Sequence, residues 1–182
     1  MKPPHGYQEI IAAFGDPSDP ADPSKPNPVW ESANIQKVAP PAGWQLYYQE
    51  DHQPIVPITG IRIHKLLAPS VTIVLTNIWA YATSAFGAGA TDDDIRQWLH
   101  DKCLDQTGGG YNYRPSTSGG GKVLSLHSWG IAIDWDPDHN PRGSGTTTLP
   151  DWWYAIWAGQ DWSDGRHFKT PDPMHVQFAT GA

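Results

Sequence analysis

The chain contains one cysteine, Cys103, which excludes an internal disulfide framework and any Cys-x-x-Cys metal site. Its plainest reading is a small buried apolar residue on a helix. Cations are scarce as well: 12 Lys and Arg stand against 19 Asp and Glu, for a net charge of -7. No run of Lys or Arg is present to track a phosphate backbone, so nucleic acid is not expected as a partner. No Gly-x-Ser-x-Gly occurs, which argues against the serine hydrolases built on a nucleophile elbow. An apolar h-region is also missing behind Met1-Lys-Pro-Pro-His-Gly-Tyr7, because Ile10-Ile-Ala-Ala-Phe14 is short and soon meets Pro17. No secretory signal peptide is expected.

The 182 residues suit one domain, which at this length buries ~70% of its unfolded surface. Charge is absent from Leu66 to Thr91, a length that raises the question of a membrane span. Pro69, Asn77 and several Thr, Ser and Gly favour a buried core helix instead, so no span is expected. Val71, Val74, Leu75, Ile78 and Ala82 fall at helical spacing and form one apolar face. A second helix starts after Thr91, whose hydroxyl caps while Asp92 to Asp94 complement the dipole, and Ile95, Trp98 and Leu99 give it a buried stripe. A third, short helix lies between Pro150 and Gly159.

Prolines crowd the N-terminal end, with Asp16-Pro-Ser-Asp-Pro-Ala-Asp-Pro-Ser-Lys-Pro-Asn-Pro28 unable to sustain helix or interior strand. Residues 1–30 therefore read as a proline-rich arm, a linker or a strap over the domain, and residues 31–182 as the domain itself. Thr107 to Lys122 is rich in glycine on both sides of Arg114. It is not a phosphate loop, because Gly121-Lys122 is followed by Val123 where a Ser or Thr should hold magnesium, and position 116 is Ser. Flexible loops that present Arg114 to a ligand are the better reading.

The chemistry concentrates in Ser125-Leu-His127-Ser-Trp-Gly130-Ile-Ala-Ile-Asp134 and, later, Asp172-Pro-Met-His175. A hydrolytic zinc site needs about three ligands from His, Asp, Glu or Cys, an open position, and a carboxylate to manage a water's proton. The two segments supply that inventory. Ile131-Ala-Ile133-Asp134 alternates as a strand does, setting Asp134 opposite its apolar neighbours, and His175 and Gln177 likewise oppose Val176 and Phe178. Two neighbouring strands would then present Asp134 and His175 to one metal. His127 precedes Asp134 by an odd number of residues, so a turn around Ser128-Trp129-Gly130 has to bring them together. Asp172 sits before Pro173, which holds its backbone extended or in a turn, as suits a carboxylate beside a ligand. Arg114 would stabilise an oxyanion or hold a substrate carboxylate, two roles the spacing does not separate.

These residues resemble the zinc peptidases that include D-Ala-D-Ala carboxypeptidases, D-Ala-D-Ala dipeptidases and the L-alanyl-D-glutamate endopeptidases of phage endolysins. The family pattern of Ser-x-His, Gly, Ala and Asp, then Asp or Glu three residues before a His, is matched at Ser125, His127, Gly130, Ala132, Asp134, Asp172 and His175. Arg114 stands where the family places its arginine, and Gly159-Gln-Asp161-Trp162 is similar to its Gly-Gly-Asp-Trp region, with Gln160 a departure. The resemblance covers roughly residues 60–180. It implies one zinc ion on His127, Asp134 and His175, with Asp172 as catalytic base and Arg114 and Ser125 against substrate. The implied fold is a small α+β domain whose antiparallel sheet, flanked by helices, carries the zinc in a cleft, shared with hedgehog signalling domains. The implied substrate is a peptidoglycan stem peptide. Asp at 172 with Pro-Met-His looks more like the phage endopeptidase branch, so an L-Ala to D-Glu cut is expected first and a D-Ala-D-Ala carboxypeptidase next. A monomer is expected, phage-encoded, made in the host cytoplasm and acting at the cell wall.

Rival readings are weaker. Asp134-x-Asp136-x-Asp138 suggests a calcium loop, but His139 stands where the turn glycine belongs and Gly145 where a Glu should close the site. Ten tryptophans suggest a carbohydrate surface, although most suit a core and Trp152, Trp153 and Trp157 fall on one helix. His139 and His167 read as surface residues. The alternative of another class is a zinc-containing module that grips cell wall or a protein without hydrolysis; the intact base argues for catalysis.

Overall fold

The uncharged stretch after Leu66 becomes the central helix of the protein. In the computed structural model, which describes residues 1–50, 52–117 and 123–181, helix α3 spans Ala68–Phe86. Its Val71, Val74, Leu75, Ile78 and Ala82 are all fully buried on one face, each large side chain contributing about 1.5 to 3 kcal/mol of burial. On the rest of its surface Thr72, Thr76 and Thr83 return their hydroxyls to the carbonyls one turn back, at 2.9, 2.8 and 2.9 Å. A helix without charge thus satisfies its own polar groups. Length and composition alone would let it cross a membrane; its buried stripe packs inside the domain.

Two earlier helices, α1 (Gly6–Phe14) and α2 (Pro28–Asn34), and two later ones, α4 (Asp92–Asp101) and α5 (Asp151–Ala158), complete the helical set among the described residues. Helix α4 opens on a capping box in which Thr91 and Asp94 satisfy each other's amides. Helix α5 buries Trp153, Tyr154 and Trp157. Trp153 meets Trp135 edge-on at 5.7 Å, and Trp157 meets Trp162 at 4.9 Å, so most tryptophans are core. Trp79, Trp98 and Trp152 are half-buried, Trp152 being stacked on Tyr81 at 3.9 Å.

Among the described residues eight strands make two sheets. β1 (Ile35–Val38) pairs antiparallel with β4 (Ile61–His64). The main sheet joins β2 (Leu46–Tyr48), β3 (Val56–Ile58), β5 (Gln106–Gly109), β6 (Ala132–Trp135), β7 (Ser163–Gly165) and β8 (Asp172–Gln177) in the order β3-β2-β5-β6-β8-β7. The protein is α+β, as expected, but this sheet is mixed rather than antiparallel. β2 and β5 run parallel, because β3, β4, α3 and α4 lie between them and form a crossover long enough to bring the chain back in the same direction.

The N-terminal residues also depart from expectation. Only Asp16 to Asn27 behaves as a strap of turns, touching the domain where the Tyr113 hydroxyl donates to the Pro23 carbonyl at 2.7 Å. Residues before it form α1, whose Ile10 and Phe14 enter the core. The Gly6 amide bonds the Thr180 carbonyl and the Thr180 amide bonds the Pro4 carbonyl, tying this segment to the residues after β8. A short amphipathic pair, Ile10 and Phe14 one turn apart, was masked by the prolines around it.

Candidate metal centre

The strand alternation read from the sequence sets two of the expected ligands face to face. β6 and β8 are antiparallel neighbours in the register Ala132↔Gln177, Ile133↔Val176, Asp134↔His175. Asp134 therefore stands directly across from His175, with Asp134 Oδ1 2.9 Å from His175 Nδ1. His127 arrives by a turn of 3₁₀ helix, Leu126–Trp129, in which the His127 amide donates to the Ser125 hydroxyl. That turn closes at Gly130 in the left-handed region, φ 65°. A Cβ there would lie 2.8 Å from the His64 amide nitrogen, so glycine alone allows the turn to pack against β4 and deliver His127 to Asp134. His127 Nε2 ends 3.1 Å from Asp134 Oδ2.

Hydrogen bonds behind the two imidazoles fix which nitrogens face the carboxylate. His127 Nδ1 lies 2.7 Å from the Gly110 carbonyl; a carbonyl only accepts, so Nδ1 carries the hydrogen and Nε2 presents a lone pair. On the other side the Gln177 amide donates to the Ala179 carbonyl at 2.8 Å. Its Oε1 is then left to accept from His175 Nε2 at 3.1 Å, and His175 presents Nδ1. Two lone-pair nitrogens converge on the carboxylate between them, an arrangement that repels itself unless a cation enters. His127 Nε2 is buried with no hydrogen-bond partner among the described residues. The three side chains offer ligand atoms within 4.8 Å of one another. A tetrahedral ion on two imidazoles and one carboxylate, with a fourth position open, fits this donor set.

Electrostatics agree with the need for positive charge. Burial works to raise the Asp134 carboxyl, yet His127 and His175 hold it well below the usual carboxylate range. Burial works to lower His175, and the Asp134 carboxylate outweighs it, so that imidazole is pushed up. Asp172 opens β8, three residues before His175. Burial raises its carboxyl above the ordinary value against the pull of His175, with the Asp134 charge adding to the rise. Asp172 Oδ1 is buried and has no hydrogen-bond partner among the described residues, while Oδ2 lies 3.9 Å from Arg142 Nε.

All six expected site residues line one cleft of about 890 Å³. Arg114 reaches it with Nη2 3.8 Å from Asp134 Oδ2, and the Ser128 hydroxyl clamps the Arg114 backbone at both its amide and its carbonyl, 3.0 Å each. Ser125 lines the cleft and caps the His127 turn. Arg142, Lys169, Phe168 and Tyr7 share the wall. These four have no role legible in the sequence, since they come from irregular segments and from α1 and carry no periodic signal. Gly110 and Gln177 were also unassigned, although the alternation had already put Gln177 on the face of His175. Of the glycine-rich segment, residues 118–122, Lys122 among them, lie outside the described residues. Trp162, in the Gly159-Gln-Asp-Trp run, is a core residue bonded to Ser70.

No family model, curated protein or solved structure matches the chain. The site is therefore interpreted from its own chemistry. Asp134, Asp136 and Asp138 do not form a calcium loop, because they face different partners: Asp134 faces His127 and His175, Asp136 faces His139 and Asn140, and Asp138 accepts from the His52 amide.

Proposed function

We propose that the protein is a zinc-dependent peptidase that hydrolyses a bond in peptidoglycan stem peptides, the L-Ala to D-Glu bond by preference and the terminal D-Ala-D-Ala bond next. The observation that carries this reading is the convergence of His127 Nε2, His175 Nδ1 and Asp134 beside the unpartnered Asp172 Oδ1, at the floor of an open cleft. Zinc on the three ligands would supply Lewis acidity toward a carbonyl oxygen and toward water. Asp172 takes the proton of the attacking water and passes it to the leaving amine, a role suited to a carboxyl raised by burial. Arg114, Arg142 and Lys169 bring three positive charges to a cleft in a chain of net charge -7. They favour a substrate that bears carboxylates, as stem peptides do. Arg114, with its backbone clamped, is the group for an oxyanion or a substrate carboxylate. Ser125 meets substrate at the wall. The hedgehog and D-Ala-D-Ala peptidase type of fold, with zinc in a cleft of an α+β domain, belongs to the same proposal, as does a phage lysin made in the host cytoplasm and acting at the wall.

The test is incubation with purified peptidoglycan, with and without a chelator, and mass spectrometry of the released fragments. Chelator-sensitive products with a new D-Glu or D-iso-Gln amine establish the endopeptidase, and loss of terminal D-Ala establishes the carboxypeptidase. Bound metal with no products from several wall types refutes catalysis and leaves a zinc-containing binding module.

A further inference from the structure

A second set of metal-ligating side chains stands apart from the cleft and shares no residue with it. We propose that Cys103, Asp136 and His139 form a further metal site, for one borderline divalent cation of the zinc or cobalt type. A thiol, a carboxylate and an imidazole there offer ligand atoms within 4.8 Å of one another. They sit on the wall of a cavity of about 510 Å³ that Tyr81, Trp98 and Trp152 also line, which gives a cation an entry path and room for solvent as fourth ligand. A thiolate beside an imidazole selects borderline and soft ions over magnesium or calcium.

The carboxylate is already oriented as a ligand would be. Asp136 is fully buried; its Oδ1 faces His139 Nδ1 at 2.7 Å, and its Oδ2 accepts from Asn140 Nδ2 at 2.9 Å and Thr148 Oγ1 at 3.1 Å. Outer hydrogen bonds of this kind hold metal-ligating carboxylates in place. Cys103 and Asp136 both adopt left-handed backbone, φ 54° and 45°, a region that residues other than glycine enter less readily. Two strained residues from separate segments, the end of α4 and the turn after β6, point their side chains at one spot. Cys103 thus lies past the helix rather than on it, and is half-buried. It is no nucleophile, since burial, with the Asp136 and Asp105 carboxylates adding, pushes its thiol up to about 11. Cation binding releases the thiol proton, and His139, an exposed ring, moves its Nδ1 hydrogen to the other nitrogen. The ion would then join the end of α4 to the exit of β6.

The experiment is titration of the chelator-stripped, full-length chain with cobalt, following the ions bound per chain and near-ultraviolet absorption. Cys103 is the single cysteine, so any thiolate-to-cobalt band reports this site alone. Two bound cobalt ions are expected, one of which brings the band. Cys103→Ser should abolish the band and one ion. His139→Ala, at an exposed position, should weaken the band-giving ion by about tenfold or more, the scale on which even outer partners act. His127→Ala should lose the other ion and keep the band. Absence of the band in the parent chain, or a band whose midpoint is unmoved by His139→Ala, overturns the site. One band-giving cobalt alone upholds it and refutes the His127 centre; one band-free cobalt does the reverse.

Discussion

Replacing Asp172 with Asn separates catalysis from stability at one atom. The carboxyl sits raised by burial, with Oδ1 unpartnered and Asp134 nearby, so a charge there is costly, and in the proposed mechanism that charge is the base. A general base contributes about 10²- to 10⁴-fold to rate, which at 1.36 kcal/mol per decade corresponds to about 3 to 5 kcal/mol of barrier. Asp172→Asn keeps the shape, keeps His127, Asp134 and His175, and should lower kcat by that factor while one metal ion stays bound at the centre. The same change removes a poorly satisfied buried charge. An Asn there still leaves a buried polar atom unpaired, so the gain is confined to the lost charge; for a chain of this size each kcal/mol recovered raises Tm by about 2 to 4 °C. The variant should therefore be slower and more heat-stable. Steady-state cleavage of wall peptides, metal analysis and thermal unfolding at neutral pH provide the readouts. Cleavage at the parent's rate would refute Asp172 as base; a lowered Tm with loss of metal would show that its carboxylate holds the site together instead.

Three further outcomes are expected. His127→Ala removes one of the three proposed ligands, and should lose both the metal of the centre and turnover; retained activity with stoichiometric zinc counts against the ligand set. Gln177→Leu leaves His175 Nε2 without its acceptor, so metal affinity should fall about 10- to 100-fold with the fold intact, and unchanged affinity would mean that the tautomer is set elsewhere. His64 lies in the core against the Phe14 and Trp30 rings, and burial pushes its pKa down to about 4. The unfolded chain, near 6.5, takes up the proton first, so this residue favours folding fully above pH 6.5, loses that contribution as pH falls, and levels off below pH 4. The loss is about 3 kcal/mol. Denaturant unfolding across that window should show it in the parent, and an equal slope in His64→Phe would assign the effect to other groups.

The parts of this protein that were legible in the sequence are those with a period. The α3 stripe, the Thr91 cap and the alternation about Asp134 and His175 each repeat at the spacing of their element, and each appears in the structure where expected. The turn at Ser128-Trp129-Gly130 was legible as a necessity, because no straight strand could align His127 with Asp134. Pairings between distant segments left no such mark. Nothing local distinguishes β5 as the parallel neighbour of β2, and Ile10 and Phe14 are too few to stand out among prolines. The cleft cations Arg142 and Lys169 lie in irregular chain, where spacing carries no directional information. His139 was read as a surface residue from its polar surroundings; its ring is exposed, and its Nδ1 faces a fully buried carboxylate.

With a cation on the proposed centre, the register of β6 on β8 would make ion capture a checkpoint for assembly. A slip of one residue would set Asp134 across from Met174 or Val176 and turn one ligand toward the opposite face of the sheet. Chains that pair incorrectly at this seam would forgo the cation, and those that pair correctly would be held by it. Zinc supplied during refolding should thus raise the yield of correctly registered protein as well as its final stability.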